Sequence, residues 1–139
     1  MTKALNRFVG RPHIADSYDC ADLAVEVARE LFARDVVLPT HRPRPHGQRG
    51  QALAIQAMAN DLAFEVTEPV DGDLVLMQSA GQELPGHIGT YFFVNYQPHV
   101  LHTSVALGQA SLHKLTALPA FSLRVVGFYR WKEHHGEYS

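Results

Sequence analysis

The sequence predicts an α+β domain in which N-terminal helices pack on a C-terminal antiparallel β-sheet. Apolar residues in the first half recur at three- and four-residue spacing, which is the period of an amphipathic helix. After the turn segment "EPVDG", short β-branched and aromatic runs follow one another, each bounded by turn residues. Helices first and hairpin strands second are typical of this class.

Length and composition indicate one ordinary globular domain over 1–139, with a short polar tail at 132–139. Hydrophobic residues make up 46% of the chain and the formal net charge is -2, so no electrostatic case exists for nucleic acid or an anionic membrane. No apolar run is long enough to span a bilayer, and we expect no secretory signal. The single cysteine excludes an internal disulfide.

The helical half contains three predicted helices. The first covers residues 2–9 and ends at Gly10. The second runs from Cys20 to about Arg34, with Asp19 as its N-cap. The third covers roughly 48–63. The inward face of the second helix carries Leu23, Ala24, Val27, Ala28 and Leu31, and Cys20 shares this face.

The segment "HRPRPHGQRG", residues 41–50, lies between the second and third helices. Its prolines and glycines exclude a helix or a central strand. A solvated connector is favoured over a basic contact patch, because proline and glycine already explain the segment.

Four strands are predicted in the second half, at 73–78, 87–94, 99–104 and 122–131. A short helical turn is expected near 109–116, before the last strand. Asn95 and Tyr96 are expected to form the turn of a hairpin between the second and third strands.

Cys20 has two interpretations. A lone cysteine on an apolar helix face is usually a small buried hydrophobe. At the N-terminus of a helix, however, the macrodipole stabilises a thiolate, and a cysteine there becomes a nucleophile if a base lies close to it.

The predicted hairpin brings a possible base and its partner together. With Val94 opposite Gln97, the register places Gly89 opposite His102 and makes His87 and His102 diagonal neighbours on one face. Gly89 leaves room for the two rings to meet. A zinc site of His87, His99, His102 and Cys20 is an alternative, although neither a second cysteine nor a helical histidine pair supports it.

Five segments resemble the motifs of NlpC-type cell-wall cysteine peptidases, in the same order. They are "YDCADLAVEVARELF", "GDLVLMQ", "HIGTYF", "VLHTS" and "GFYRW", and the resemblance covers about residues 5–131. The chain is most similar to the branch found in tailed phages and gene transfer agents. The resemblance implies a papain-like fold, with the nucleophile helix packed on the sheet.

The resemblance also implies roles for particular residues. Cys20 matches the nucleophile, His87 the general base and His102 the residue that orients the base. The substrate and oxyanion vicinity is expected at Tyr18, Asp19, Ala21 and His13, where His13 replaces the usual aromatic residue. Asp22 stands where relatives often have glycine. No cofactor or metal is implied.

The implied activity is hydrolysis of an amide in peptidoglycan stem peptides, commonly between D-glutamate and diaminopimelate. Other tail-tip or hub proteins would be the partners, and the virion tail tip the location. The alternative is a structural tail-tip or baseplate subunit with weak or lost catalysis. An amidase or acyltransferase on the same fold is a third possibility.

Overall fold

The computed structural model describes residues 2–14, 19–34, 55 and 61–132. Within these ranges the structure includes the helices α1 (Thr2–Leu5) and α2 (Cys20–Phe32), a six-stranded sheet and a 3₁₀-helix (Leu115–Phe121), and residues 55, 61 and 62 are also helical. The strands are β1 (Ala63–Val66), β2 (Leu74–Ser79), β3 (His87–Val94), β4 (Gln97–His102), β5 (Ser111–Lys114) and β6 (Leu123–Trp131). The expected α+β class is confirmed.

The sheet is antiparallel throughout, in the strand order β1-β6-β2-β3-β4-β5. Strands β2 to β5 form a meander, in which each strand pairs with the next one along the chain. β6 returns to lie between β1 and β2. Asp73, the residue before β2, accepts two hydrogen bonds from the guanidinium of Arg130 in β6, at 2.9 and 2.8 Å, and so links the start of β2 to β6.

The two faces of the sheet are covered by different elements. Helix α2 covers the face that carries Ile88 and Phe92 of β3, and its residues Ala24 and Val27 are buried there. The opposite face carries Val75, Met77, Tyr91 and Val100, which pack under Leu118 of the 3₁₀-helix. Alternation along a strand therefore assigns each residue of β3 and β4 to the α2 face or the 3₁₀ face.

The predicted hairpin of β3 and β4 is confirmed with its register. Val94 pairs with Gln97 and Thr90 with Leu101. Asn95 and Tyr96 connect the strands with φ values of 51° and 63°, and two successive left-handed residues suit the twist of a tight hairpin.

Several predicted boundaries differ from those found. Helix α1 stops at Leu5 rather than residue 9, and α2 ends at Phe32 because Ala33 adopts a left-handed C-cap. The strand predicted at 87–94 is confirmed with its bounds, whereas the other three differ from the predicted bounds by one or two residues.

Two elements were missed by pattern alone. The helical turn expected at 109–116 is wrong: Ser111–Lys114 is β5, and the 3₁₀-helix begins only at Leu115. Pairing with β4 extends this segment, so that Ala110 and Leu112 both pack in the core under α2 with the two-residue period of a strand. β1 was also missed, because four residues show too little alternation. The 41–50 loop and most of the 48–63 helix lie outside the described residues, although Ile55 is helical and buried.

Gly89 is predicted to be intolerant of any side chain. A Cβ there would lie 2.5 Å from Cγ2 of Val100, 2.7 Å from the carbonyl oxygen of Leu101 and 2.9 Å from Cβ of His102. Because a backbone atom is among these neighbours, we expect Gly89→Ala to lower the free energy of unfolding by about 1–3 kcal/mol. Urea denaturation measures this change.

Gly127 of β6 supplies a matched control for that substitution. A Cβ there would meet the mobile end of Glu65 at 3.3 Å and the ring of Tyr129 at 3.5 Å. Gly127→Ala should therefore lower the free energy of unfolding by much less than Gly89→Ala does. Equal losses of stability in the two variants would contradict the close approach at Gly89.

Candidate active site

The N-terminus of α2 is held by a reciprocal capping box. The Asp19 carboxylate accepts the amides of Ala21 and Asp22, at 3.0 and 3.1 Å, and the Asp22 carboxylate accepts the amide of Asp19 at 2.9 Å. The N-cap predicted at Asp19 is thus confirmed, and Asp22 acts in the same cap. The cap fixes Cys20 as the first residue of the helix, at the positive end of its macrodipole.

His13 lies beside this helix start. Its segment runs along residues 108–110, where the His13 amide donates to the carbonyl of Gly108 at 3.0 Å. Its Nδ1 lies 3.3 Å from Oγ1 of Thr103, just after β4. Burial lowers the pKa of His13, while the carboxylates of Asp19 and Asp22 oppose that shift. The His13 ring is therefore within electrostatic range of the helix start.

His87 and His102 meet as the hairpin register predicts. Nε2 of His87 lies 2.8 Å from Nδ1 of His102, and both side chains are buried. The rings meet edge to face, with centroids 5.0 Å apart. Because His87 uses Nε2 for this bond, its Nδ1 is the atom that can take a proton from another group.

A third histidine, His113 of β5, lies next to His102. We call His87, His102 and His113 the histidine row. Nε2 of His102 lies 2.9 Å from Nδ1 of His113, whose ring stacks on Phe121 with centroids 4.1 Å apart. The sequence pattern does not predict a role for His113, because this residue falls in the helical turn predicted at 109–116. With Ser111–Lys114 assigned as a strand, alternation places it on the same face as His102.

Burial disfavours the charged form of these histidines. It lowers the pKa of His87 to about 4, with a smaller effect in the same direction from His13. It lowers the pKa of His102 to about 3, assisted by His87 and His113. The pKa of His113 is also lowered by burial. Near neutral pH the row is uncharged, and a neutral imidazole is the form that acts as a base.

Cys20 and the histidine row approach the same end of β3 from different faces. Cys20 belongs to the buried cluster on the α2 face that includes Ile88, the neighbour of His87. Alternation along β3 places His87 on the 3₁₀ face, but it is the first residue of that strand. His13, which bonds Thr103 and senses the carboxylates of the α2 cap, also lies close enough to affect His87. A contact between Cys20 and His87 stays a prediction.

A cleft of about 710 Å³ has His87 among its lining residues. Its walls come from the loop after β4 and from the end of the 3₁₀-helix with the start of β6. The described lining residues are Ser79, Gln82, Leu84, Gly86, His87, Ser104, Val105, Ala106, Leu107, Ala120, Phe121, Ser122 and Leu123. This set includes no aspartate, glutamate, lysine or arginine, and it does not include Cys20. The volume suits a short peptide or a small molecule.

Two residues predicted for the substrate and oxyanion vicinity remain, Ala21 and Tyr18. The amide of Ala21 already donates to Asp19, so its use as an oxyanion donor requires that bond of the cap to open. Tyr18 lies outside the described residues.

The four residues of the alternative zinc site do not converge. His99 is three residues from His102 on β4 and so projects from the other face, where its Nδ1 donates to the carbonyl of Gln97 at 2.9 Å. Within 2–14, 19–34, 55 and 61–132, no three or more His, Cys, Asp or Glu side chains form a group that could hold a metal ion.

Comparison with known proteins assigns no family: no protein-family model and no curated protein matches the sequence. Among the described residues, no helix has the length and the apolar character that a membrane span requires.

Because His87 and His102 are buried, we expect the free energy of unfolding to fall in mild acid. The pKa values of His87 and His102 are lower in the folded chain than their ordinary value of 6.5, so below that pH the unfolded chain binds more protons. The contribution of these two histidines to the free energy of unfolding is fully present above about pH 6.5 and is lost as the pH falls toward about 4. Each histidine contributes up to about 1.4 kcal/mol per pH unit. Denaturant titrations from pH 7.5 to 4.5 measure this slope.

His102→Asn provides the comparison, since it removes one of the two titrating groups. We expect a shallower fall of stability with pH in this variant, whatever its stability at pH 7.5. An unchanged slope would show that His102 is not held in its neutral form by burial.

Alkylation kinetics test whether Cys20 and His87 interact. A free thiol titrates near about 8.5, and a neighbouring base that takes the thiol proton during attack increases its reactivity near neutral pH. We expect iodoacetamide to modify Cys20 about tenfold faster at pH 7 than it modifies a cysteine in a model peptide, and His87→Ala to remove that advantage. His99→Ala is the control. Equal rates in the wild type and His87→Ala would contradict the interaction.

Proposed function

We propose that this protein is a cysteine peptidase that hydrolyses an amide bond in peptidoglycan stem peptides. The observation that carries the proposal is the 2.8 Å contact between Nε2 of His87 and Nδ1 of His102. It gives His87 a fixed partner on one ring nitrogen and leaves the other for a thiol, as a nucleophile, base and orienting residue require. Cys20 at the capped start of α2 is the proposed nucleophile.

In the proposed reaction, Nδ1 of His87 takes the proton of the Cys20 thiol while Sγ attacks the carbonyl carbon of the substrate. The carbon–nitrogen bond then breaks, and the leaving amine takes the proton back from His87. A water molecule, deprotonated by His87, attacks the thioester. Release of the acid returns the proton to Cys20, so one water is consumed for each bond cleaved.

The environment of the base suits this order of events. Burial keeps His87 uncharged at neutral pH, so it is ready to accept a proton rather than to donate one. In this reaction Nδ1 of His102 accepts a hydrogen bond from Nε2–H of His87 and holds the ring in place. The carboxylates of Asp19 and Asp22 lie at the start of α2 and disfavour a permanent thiolate by charge repulsion. A resting thiol that loses its proton during attack is consistent with both effects.

The substrate class rests on the resemblance to NlpC-type peptidases, and the cleft beside His87 has a size compatible with a stem peptide. The amide between D-glutamate and diaminopimelate is the proposed bond. We place the protein at the tip of a phage-type tail, among tail-tip or hub proteins, where local cleavage would open the wall during entry.

Digestion of purified peptidoglycan tests the activity. The wild type should release fragments that mass spectrometry assigns to cleavage within the stem. Cys20→Ala and His87→Gln should lose at least about a hundredfold in rate, the usual contribution of a nucleophile or its base. His99→Gln, a matched histidine variant in the same hairpin, should keep its activity, since its ring bonds Gln97 instead.

The second candidate is a structural tail subunit, and the burial of Cys20 favours it. The residue is 9% exposed and is absent from the described lining of the cleft. Virions that carry Cys20→Ala separate the two functions: normal assembly with poor entry favours the enzyme, whereas normal infectivity favours the scaffold. An acyl group trapped on Cys20 from a substrate other than peptidoglycan would instead assign an amidase or acyltransferase.

A further inference from the structure

The histidine row continues one residue beyond the nucleophile, base and orienting residue of the proposed function. His87, His102 and His113 lie on three neighbouring strands and join Nε2 to Nδ1 at each step, over 2.8 and 2.9 Å. His113 is half-buried, whereas the other two side chains are buried. The row therefore leads from the proposed base to a less buried ring.

We propose that His113 is a positioning residue that holds His102, and through it His87, in the tautomer with a proton-accepting Nδ1. The inference rests on the proposed function, in which that atom deprotonates Cys20. It assigns a role to a fourth side chain that the resemblance does not include.

The proposal follows from the direction of the two hydrogen bonds. A neutral imidazole has one donor and one acceptor nitrogen, so three neutral rings in a row must all point the same way. In one arrangement each Nε2–H donates to the next Nδ1, and Nδ1 of His87 accepts. In the reverse arrangement each Nδ1–H donates to the preceding Nε2, and Nδ1 of His87 carries a proton. Only the first arrangement provides a base.

His113 makes the first arrangement possible, because its Nδ1, when unprotonated, can accept the Nε2–H of His102 across the 2.9 Å contact. Without that acceptor, the buried Nε2–H of His102 would be left without a hydrogen bond, which disfavours the tautomer that carries it. The reverse tautomer of His102 would then place its proton on Nδ1, facing His87. Loss of the His113 acceptor thus favours the reverse arrangement, in which Nδ1 of His87 carries a proton and cannot act as a base.

The same row spreads the charge formed during attack. When Nδ1 of His87 takes the thiol proton, its Nε2 proton can shift to Nδ1 of His102, and the Nε2 proton of His102 to Nδ1 of His113. Two protons move, no atom is lost, and the positive charge ends on the least buried ring of the three. His113 faces His102 from β4 and Phe121 from the 3₁₀-helix, and it lies opposite Val100.

A matched set of variants separates this role from packing on Phe121. His113→Phe keeps an aromatic ring for the stack and removes the acceptor. His113→Asn loses the ring but can place its Oδ1 near the position of Nδ1 and accept the same bond. His99→Phe makes the aromatic substitution at a histidine on the other face of the sheet. Thermal unfolding identifies any variant that is not folded.

The decisive measurement is the tautomer of each ring, read from long-range ¹H–¹⁵N spectra of the full chain at pH 7.5. We expect His87 and His102 to carry Nε2–H in the wild type, His113→Asn and His99→Phe, and to show a Nδ1–H population in His113→Phe. Iodoacetamide should modify Cys20 about tenfold more slowly in His113→Phe alone, and kcat for any peptide substrate should fall by about the same factor with little change in KM.

Two results would overturn the inference. One is an unchanged tautomer of His87 and His102 in folded His113→Phe, and the other is an equal loss of Cys20 reactivity in His113→Phe and His113→Asn. Neither measurement uses peptidoglycan. A wild type that fails to cleave peptidoglycan but shows tautomers that depend on His113 would support the inference and count against the proposed substrate.

Discussion

The register between β3 and β4 is the constraint on which the candidate site depends. Two left-handed residues, Asn95 and Tyr96, close the hairpin and allow no slippage, because the turn joins Val94 directly to Gln97. That register places His102 beside the bare Cα of Gly89, and so brings its ring to His87. A shift of one residue would turn His102 to the α2 face and separate the two rings.

Burial and the α2 cap then determine the protonation states of the histidines and of Cys20 in the candidate site. Desolvation keeps the buried imidazoles neutral, whereas the α2 cap places two carboxylates beside the proposed nucleophile. Asp22 thus has opposite effects: it completes the cap that fixes Cys20, and it opposes a thiolate there. Glycine at this position would give up the first effect to avoid the second. The chain combines a well-ordered helix start with a thiol that depends on its base.

Local patterns predicted the parts of the structure that local forces determine. The Asp19 cap, the start of α2 and the hairpin all follow from side chains a few residues apart, and the His87–His102 contact follows from the hairpin register. β5 could not be predicted in this way, because its extended form depends on pairing with β4. His113 was missed with it. The relation of Cys20 to the two faces of the sheet is likewise tertiary, since helix periodicity specifies an inward side but not which sheet face it meets.

The position of β6 between β1 and β2 has a consequence for the order of assembly. The meander from β2 to β5 is built from contacts close in sequence, so the histidine row can form early, at a low cost in loop entropy. The cluster that seats Cys20 also contains Trp131, at the end of β6. During synthesis the three histidines could thus come together before Cys20 is packed in its cluster. Synthesis through Trp131 would then be the step that completes the site.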